Sequence, residues 1–351
     1  MKRNAVKLTA LLLTLVLLAL PLAGCKKYEP NQVVYVYNWG EYMDEEVNEL
    51  FERETGIKVV YKVYDNNESM YAVVKNAPGT YDVVFPSDYM VGRMIEEDML
   101  EPLDFNNIPN AHYIMKDFLN LEYDPHNRYS VPYTWGMVGI LYNTKVITET
   151  PDSWDDLWNE DYFDRILMYN NSRDALGVAL LKNGYSLNTT DPVQLQKACD
   201  DLIAQKDLLQ AYVSDDIFSK MEGESAAICP VYSGDALSMM DENPNLAYTV
   251  PQEGTNRFVD CAVIVKDAPN KEAAEKYINF LCRQDIAERN RDFTAYSTPH
   301  QQVFDALPDD IKYNEIAYPK AEVLAKTEVY TNLPRETLEL YNTLWNDLKN
   351  A

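Results

Sequence analysis

The chain has 351 residues, of which 31 are Lys or Arg and 56 are Asp or Glu, and its formal net charge is −25. Nucleic acid binding needs a basic surface, so this balance argues against nucleic acid and against anionic ligands. A cationic small molecule would be attracted instead, although acidic residues also serve solubility. The length is sufficient for two domains of ordinary size.

The first 24 residues have the features of a secretion signal. Three basic residues precede an apolar stretch over 8–22, and small residues then lead directly into Cys25. This order predicts a lipoprotein signal peptide over 1–24, cleavage before a lipidated Cys25, and a short linker over 25–32. A transmembrane anchor is the alternative, but the apolar stretch is short for a membrane span. Without the leader, 28 Lys and Arg stand against 56 Asp and Glu, a formal charge of −28.

Strand and helix patterns alternate along the mature chain. An alternating apolar stretch over 33–37 precedes a helical pattern over 43–51, which ends near Gly56, and 57–64 is typical of a second strand. Further predicted elements are a helix over 67–76, a strand over 81–85, a strand over 263–265, a helix capped by Asn270 and running to 281, and a C-terminal helix over 338–348. This alternation predicts an α/β fold with parallel strands.

The stretch over 133–143 differs from the other predicted strands. It is long and extended, and it contains Gly136 and Gly139. We interpret it as a strand that leaves one domain and enters another. A single long core strand with a bulge is the alternative.

The sequence offers neither a catalytic motif nor a metal site of usual spacing. It lacks G-x-S-x-G, H-E-x-x-H and Walker A motifs, and nothing marks a carboxylate pair for glycoside hydrolysis. We therefore expect no enzyme activity and no cofactor. The cysteines beyond the leader form no C-x-x-C pair, so we expect them to be buried apolar residues, with a disulfide left open. They are Cys199, Cys229, Cys261 and Cys282.

An aromatic side chain lies within three residues of a carboxylate at four predicted strand ends. Ligands bind at the carboxyl ends of strands in open α/β sheets. Aromatic faces beside an acid suit a ligand that is both apolar and cationic. One such cluster has a structural explanation, but four in similar positions predict a binding site. The clusters are Trp39 with Glu41 and Tyr42, Ser87 with Asp88 and Tyr89, Tyr232 with Asp235, and Phe258 with Asp260.

Longer motifs give the chain a family resemblance. They include Tyr-Asn-Trp-Gly-Glu-Tyr over 37–42, Pro-Tyr-Thr-Trp-Gly over 132–136 and Ser-Trp-Asp-Asp-Leu-Trp over 153–158. Over essentially the whole mature length, the chain resembles the spermidine/putrescine-binding proteins of polyamine ABC transporters. Trp154 and Trp158 are four residues apart on a predicted helix, so we interpret them as packing residues.

The resemblance implies a two-lobed α/β fold of the periplasmic-binding-protein type II class, in which each lobe is a mixed sheet flanked by helices. Two hinge crossings would let the lobes close on a ligand. The implied segments are 33–137 and 260–304 for lobe 1, 141–257 and 307–351 for lobe 2, and hinges near 138–140 and 258–259.

The resemblance also implies the aromatic walls of the site, which would stack along methylene groups and meet ammonium groups by cation–π contact. Ser87 belongs to the same implied site, and Glu41 and Asp88 are placed at its rim. The walls are Trp39, Tyr42, Tyr89, Tyr232, Phe258 and Tyr296.

Four further positions concern the charge of the ligand. By resemblance, Asp260 grips a terminal ammonium, and Asp174 matches a second family acid. Asn171 stands where spermidine-preferring members carry a carboxylate, whereas Asp235 matches an acid of putrescine-preferring relatives. The choice between putrescine and spermidine therefore stays open. A glutamine that the family carries near the C-terminus has no clean counterpart in this chain, and the region around Tyr330 and Thr331 aligns with it only loosely.

We expect a monomeric, lipid-anchored receptor on the outer face of the bacterial cytoplasmic membrane, which captures putrescine or spermidine and delivers it to ABC permease subunits. One alternative is the same fold with a sugar or another small solute as ligand, and the binding of a sugar would persist when Asp235 and Asp260 are neutralised. A surface sensor or adhesin is the other.

Overall fold

The computed structural model describes residues 29–351, so the predicted signal peptide and the predicted lipidation site at Cys25 lie outside the described residues. Strands are numbered in chain order. They are β1 (Val33–Trp39), β2 (Lys58–Tyr64), β3 (Val83–Val84), β4 (Ser130–Asn143), β5 (Ile166–Tyr169), β6 (Leu209–Val213), β7 (Ile228–Tyr232), β8 (Leu246–Thr249), β9 (Thr255–Ile264) and β10 (Thr327–Glu328).

Helices surround these strands. The α-helices are α1 (Glu45–Thr55), α2 (Asn67–Asn76), α3 (Asp88–Glu96), α4 (Ser172–Lys182), α5 (Pro192–Gln205), α6 (Asp216–Glu222), α7 (Ser233–Glu242), α8 (Lys271–Leu281), α9 (Gln284–Thr294), α10 (Gln301–Ala306), α11 (Asp309–Lys312), α12 (Ala321–Leu324) and α13 (Arg335–Asn350). Short 3₁₀ helices span Pro109–Tyr113, Lys116–Phe118, Trp154–Trp158, Glu160–Tyr162 and Lys206–Leu208.

The strands form one mixed sheet in the order β2-β1-β3-β9-β4-β7-β5-β6, with β10 beside β9 and β8 beside β4. Pairs within the first side (β2, β1 and β3) and within the second side (β7, β5 and β6) are parallel, as expected. The pairings of β9 with β3 and β4, and of β4 with β7 and β8, are antiparallel. A mixed α/β fold is the result.

Strand β4 connects the two sides of the sheet. It pairs with β9 as far as Met137, and from Val138 onward it pairs with β7. This change of partner supports the interpretation of 133–143 as a strand between two domains, which stays a prediction, and a register shift between Pro132 and Thr134 adds a bulge. A Cβ at Gly139 would fall well inside 3.0 Å of the Tyr248 ring, so the close approach of β8 requires glycine here.

Each side of the sheet has an apolar cluster of its own, and a larger buried cluster contains residues of both sides. On the first side, Phe51 of α1 packs edge-on against Tyr277 of α8, with ring centroids 5.1 Å apart. On the second side, Leu141 and Val231 pack beneath α7. Trp154 is fully buried as expected, and its Nε1 donates to the Gly254 carbonyl at 2.9 Å. These cores hold the facing strand ends in place.

The chain returns to the second side after α11. Before this return, residues 317–318 still pack on the first side. The Ser297 hydroxyl donates to the Ala317 carbonyl, and the ring centroids of Tyr318 and Trp135 are 6.0 Å apart. The segment then runs beside β9 as β10, and α13 follows on the second side. The lobe boundaries stay a prediction, and this packing favours a return later than residue 307.

The four cysteines within residues 29–351 are buried and free. No group of three or more His, Cys, Asp or Glu residues in this part of the chain could hold a metal ion. Across the same described residues, none of the helices is both long and apolar enough to span a membrane.

Candidate ligand-binding cavity

A cavity of about 110 Å³ lies where the ends of β1, β3 and β7 face the middle of β9. At roughly 10–15 Å³ for each water-sized position, it holds a small molecule of several non-hydrogen atoms. No Lys or Arg is among the described residues that line it. The structure brings together all eleven sequence-predicted binding residues: Trp39, Tyr42, Ser87, Tyr89, Asn171, Asp174, Tyr232, Asp235, Phe258, Asp260 and Tyr296.

Asp260, in the middle of β9, is 4% exposed and faces the cavity. Its Oδ2 accepts a hydrogen bond from the Tyr42 hydroxyl, while Oδ1 has no partner among the described atoms. Burial raises the pKa of Asp260 to about 6, against the lowering effect of the Ser87 and Tyr42 hydroxyls. A buried acceptor without a donor indicates a place for a ligand donor.

Asp235 lies in the first turn of α7, where its Oδ1 accepts a hydrogen bond from the Tyr296 hydroxyl at 2.8 Å. Burial raises its pKa to about 7, and the neighbouring carboxylates of Asp215 and Asp260 add to the rise. Tyr296 follows α9 on the first side of the sheet, so this hydrogen bond joins the two sides across the cavity.

Asp174 is held by the start of α4. The Asn171 side chain caps this helix by accepting from the Asp174 amide at 2.8 Å. Asn171 Nδ2 donates back to Asp174 Oδ2 at 2.9 Å, and the Tyr232 hydroxyl donates to the same oxygen. Burial raises the pKa of Asp174, whereas these hydrogen bonds oppose the rise. Each of the three aspartates is thus paired with a tyrosine hydroxyl.

A hydrogen bond and ring–ring contacts hold the aromatic walls in place. Trp39 Nε1 donates to the Phe85 carbonyl at 2.8 Å, which anchors the indole edge. Tyr42 and Tyr296 pack edge-on with centroids 5.0 Å apart, and Tyr232 and Phe258 do so at 5.4 Å. These rings therefore form preorganised walls around the acids.

Two further predicted residues are positioned by α2. The Asn67 side chain donates to the Ser87 hydroxyl at 3.0 Å and accepts from the Ser87 amide at 3.1 Å. The Tyr89 hydroxyl donates to Glu68 Oε1 at 2.8 Å. The α2 helix therefore orients both side chains.

The two residues predicted at the rim have different outcomes. Glu41 is exposed and lines the mouth of the cavity. Asp88 does not lie at the rim, and its prediction was wrong. It is fully buried at the start of α3, where its carboxylate accepts from the Tyr89 amide at 2.7 Å and the Val259 amide at 3.1 Å. The unpaired amides of a helix start and of β9 draw this carboxylate inward.

Other residues that line the cavity were not predicted from the sequence as binding residues. Asp65 follows β2 directly and Asp215 is two residues beyond the end of β6, so the rule of acids at strand ends could have found both. Asp215 packs against Gly40, where a Cβ would fall well inside 3.0 Å of its carboxylate. Tyr330 carries no local signal, because it reaches the cavity from the segment after β10.

Two α/β sides that enclose a small, acid-lined cavity between their strand ends define a solute-binding protein. A family description of bacterial extracellular solute-binding proteins matches residues 80–322, and the chain belongs to this family. Residues 1–117 also match a family described as hypothetical lipoproteins (MG045 family). The expectation that the chain is no enzyme is confirmed, since the family and its fold are those of transport substrate-binding proteins.

Individual relatives agree with this assignment. The chain is 36% identical over 322 residues to the spermidine/putrescine-binding periplasmic protein of Salmonella typhimurium, covering 91% of this chain and 92% of that protein. It is 30% identical to the putrescine-binding periplasmic protein SpuD of Pseudomonas aeruginosa, with 95% and 96% covered. A structure from Listeria monocytogenes, assigned to a spermidine/putrescine ABC transporter, superposes with a TM-score of 0.88 at 37% identity, covering 91% of this chain and 99% of that one. The periplasmic-binding-protein type II fold is thereby confirmed.

Proposed function

We propose that this protein captures a polyamine, putrescine or spermidine, in the cavity and delivers it to the permease of an ABC transporter. The observation that carries the proposal is the set of three tyrosine-paired aspartates, Asp174, Asp235 and Asp260, in a cavity whose described lining includes no Lys or Arg. Several carboxylates buried together repel one another unless cations accompany them. A ligand with separated ammonium groups satisfies this requirement.

The aromatic walls fit the rest of such a ligand. A polyamine has apolar methylene groups between its ammonium groups. Flat rings such as those of Trp39, Tyr42 and Phe258 can bury the methylene groups, which form no hydrogen bonds. An ammonium leaving water needs an acceptor, and Asp260 Oδ1 is available. The named ligands of the relatives from Salmonella typhimurium and Pseudomonas aeruginosa support the same class.

Lipid anchoring is part of the proposal. The match of residues 1–117 to a lipoprotein family and the sequence that leads into Cys25 support lipidation at this cysteine. A chain held at the membrane surface by acyl groups stays close to a permease. We propose that the mature protein works there as a monomer. Labelling with radioactive palmitate in cells, lost in Cys25→Ala, would test the anchor.

The ligand is tested by calorimetric titration of the purified protein with putrescine, spermidine, spermine and a neutral sugar. We expect a polyamine to bind and the sugar to give no heat. Asp260→Asn should weaken binding at least tenfold, because removing one partner of a buried charged hydrogen bond costs about 2–5 kcal/mol.

The matched control is Asp241→Asn, which neutralises an exposed aspartate outside the cavity and should bind like the wild type. Tight binding of the neutral sugar would contradict the proposed function. An unchanged dissociation constant in Asp260→Asn would remove this residue from the site.

A further inference from the structure

A buried arginine lies behind the cavity. Arg173, directly before Asp174 in the first turn of α4, is 3% exposed. Its Nη2 donates to Asn188 Oδ1 at 3.0 Å and to the Thr331 carbonyl at 3.2 Å, whereas Nε and Nη1 have no partner among the described residues. No ion pair found within residues 29–351 includes this side chain. A buried cation without a carboxylate in contact is costly, so it calls for an explanation.

Three tyrosine rings surround the guanidinium. Its central carbon lies 4.4 Å from the ring centroid of Tyr330, 5.3 Å from that of Tyr89 and 5.4 Å from that of Tyr341. Cation–π contact with these rings stabilises the buried charge. Tyr89 and Tyr330 also line the cavity, but Arg173 itself does not. The cation is therefore separated from a bound ligand by aromatic walls.

Three carboxylates, on α2, α3 and α4, interact with the Arg173 charge without forming an ion pair with it. Asp174 is on the same helix, Glu68 of α2 accepts from the Tyr89 hydroxyl, and Asp88 lies at the start of α3. Burial raises the pKa of all three, and the Arg173 charge opposes that rise in each case. Among the described residues, the hydroxyls of Tyr89, Tyr330 and Tyr341 also face Arg173. The Asp174 carboxylate itself faces Glu68, Asp260 and the Tyr232 hydroxyl.

We propose that Arg173 is a positioning residue, a fixed internal cation that keeps the Asp174 carboxylate charged and aimed at the cavity before a ligand arrives. The inference rests on the proposed function, because a charged Asp174 matters only for a cationic ligand. Without Arg173, Asp174 would more readily take up a proton, which an arriving ammonium group would then have to displace. The aromatic walls limit repulsion between Arg173 and that ammonium.

The test compares polyamine affinity between about pH 6 and pH 8.5 in the wild type, Arg173→Gln and Arg173→Lys. In Arg173→Gln, we expect affinity to be lost at higher pH than in the wild type, with at least a threefold greater loss at pH 6. The two proteins should converge at the alkaline end. Arg173→Lys should restore the wild-type profile. An equal loss in Arg173→Gln at every pH would mean that the residue only packs, and would overturn the inference.

A second measurement needs no ligand. Carboxyl titrations in the ligand-free wild type and in Arg173→Gln can be followed by ¹³C NMR, with Asp174→Asn used to assign the Asp174 signal. We expect Asp174 to titrate at higher pH in Arg173→Gln than in the wild type, because the Arg173 charge opposes the rise that burial causes in the Asp174 pKa. An unchanged Asp174 titration would overturn the inference, even if every polyamine failed to bind and the proposed function fell.

Discussion

Asn171 combines two roles in one side chain. Its Oδ1 caps α4, and its Nδ2 donates to the carboxylate of Asp174. An amide can do both because it carries a donor and an acceptor, whereas a carboxylate could only accept. At this position the chain has an amide where the resemblance implies a carboxylate in spermidine-preferring relatives. We therefore propose that this residue affects the choice between a diamine and a triamine.

Replacing Asn171 by Asp should favour spermidine. Asp is an equally good helix cap, so α4 should keep its start. The added carboxylate would lie beside Asp174, and a further ammonium group would relieve their repulsion. We expect the ratio of spermidine to putrescine affinity to rise about tenfold in calorimetric titrations. Asn171→Ser keeps a capping oxygen without the charge and should leave the ratio unchanged. A rise of equal size in both variants would contradict a charge effect.

The residue scale also shows what sequence reasoning can reach. Aromatic–acid pairs at strand ends, with the family motifs, placed the predicted binding residues around one cavity. They could not separate Asp88 from Tyr89, because successive residues at a helix start point in different directions. Asp88 turned inward to backbone amides and Tyr89 lines the cavity. Arg173 was not predicted as a functional residue and Tyr330 was matched only loosely, because the roles of both depend on contacts between distant segments.

Among the elements, α7 begins with a close approach at Gly234. A Cβ on this residue would fall well inside 3.0 Å of the Tyr296 ring, which hydrogen-bonds to Asp235 one residue further along. At Gly40, an added Cβ would instead meet only the end of the Asp215 side chain, which can move. Substitution of Gly40 by Ala is therefore a suitable control for the same substitution at Gly234.

We expect Gly234→Ala to lower the free energy of unfolding by about 1–3 kcal/mol, because the ring and the start of the helix must move apart. It should also weaken polyamine binding at least fivefold by displacing Tyr296 from Asp235. Gly40→Ala should have a smaller effect on both quantities. Denaturant unfolding and calorimetry measure them. Equal losses in the two variants would contradict the role given to the Tyr296 contact.

Element boundaries follow the sequence where their causes are local. The predicted helix over 67–76 matches α2, since Asn66 caps its start by accepting from the Ser69 amide at 2.8 Å. The predicted strand over 81–85 pairs only at Val83–Val84. Instead, the Asp82 carboxylate accepts from the Tyr35 amide at 2.8 Å and the Asn270 amide at 2.9 Å. Partners this far apart in sequence leave no local signal.

Across the whole molecule, buried acids couple ligand binding to pH. Burial raises the pKa of Asp235 to about 7 and that of Asp260 to about 6. The folded, ligand-free protein therefore binds more protons than the unfolded chain between about pH 4 and pH 7, because the carboxyl groups of an unfolded chain are already ionised in this range. Its free energy of unfolding should fall as pH rises through this window. A cationic ligand needs the ionised acids, so its affinity should change in the opposite direction.

We expect polyamine affinity to be at least tenfold lower at about pH 5.5 than at pH 8, while the ligand-free protein melts at a higher temperature at the lower pH. Calorimetry and thermal unfolding would measure the two trends. In the double variant Asp235→Asn with Asp260→Asn, we expect most of the pH dependence of both the affinity and the melting temperature to disappear. Parallel trends of affinity and ligand-free stability with pH would contradict this coupling.

The pinned indole of Trp39 gives the protein a built-in optical signal. Of the five tryptophans, all within the described residues, Trp39 alone lines the cavity, and its hydrogen bond to the Phe85 carbonyl holds the ring still. A cation arriving over this ring would quench or shift ultraviolet emission that the other four tryptophans leave nearly constant. Occupancy can therefore be followed in real time by stopped-flow fluorescence, without attaching a dye.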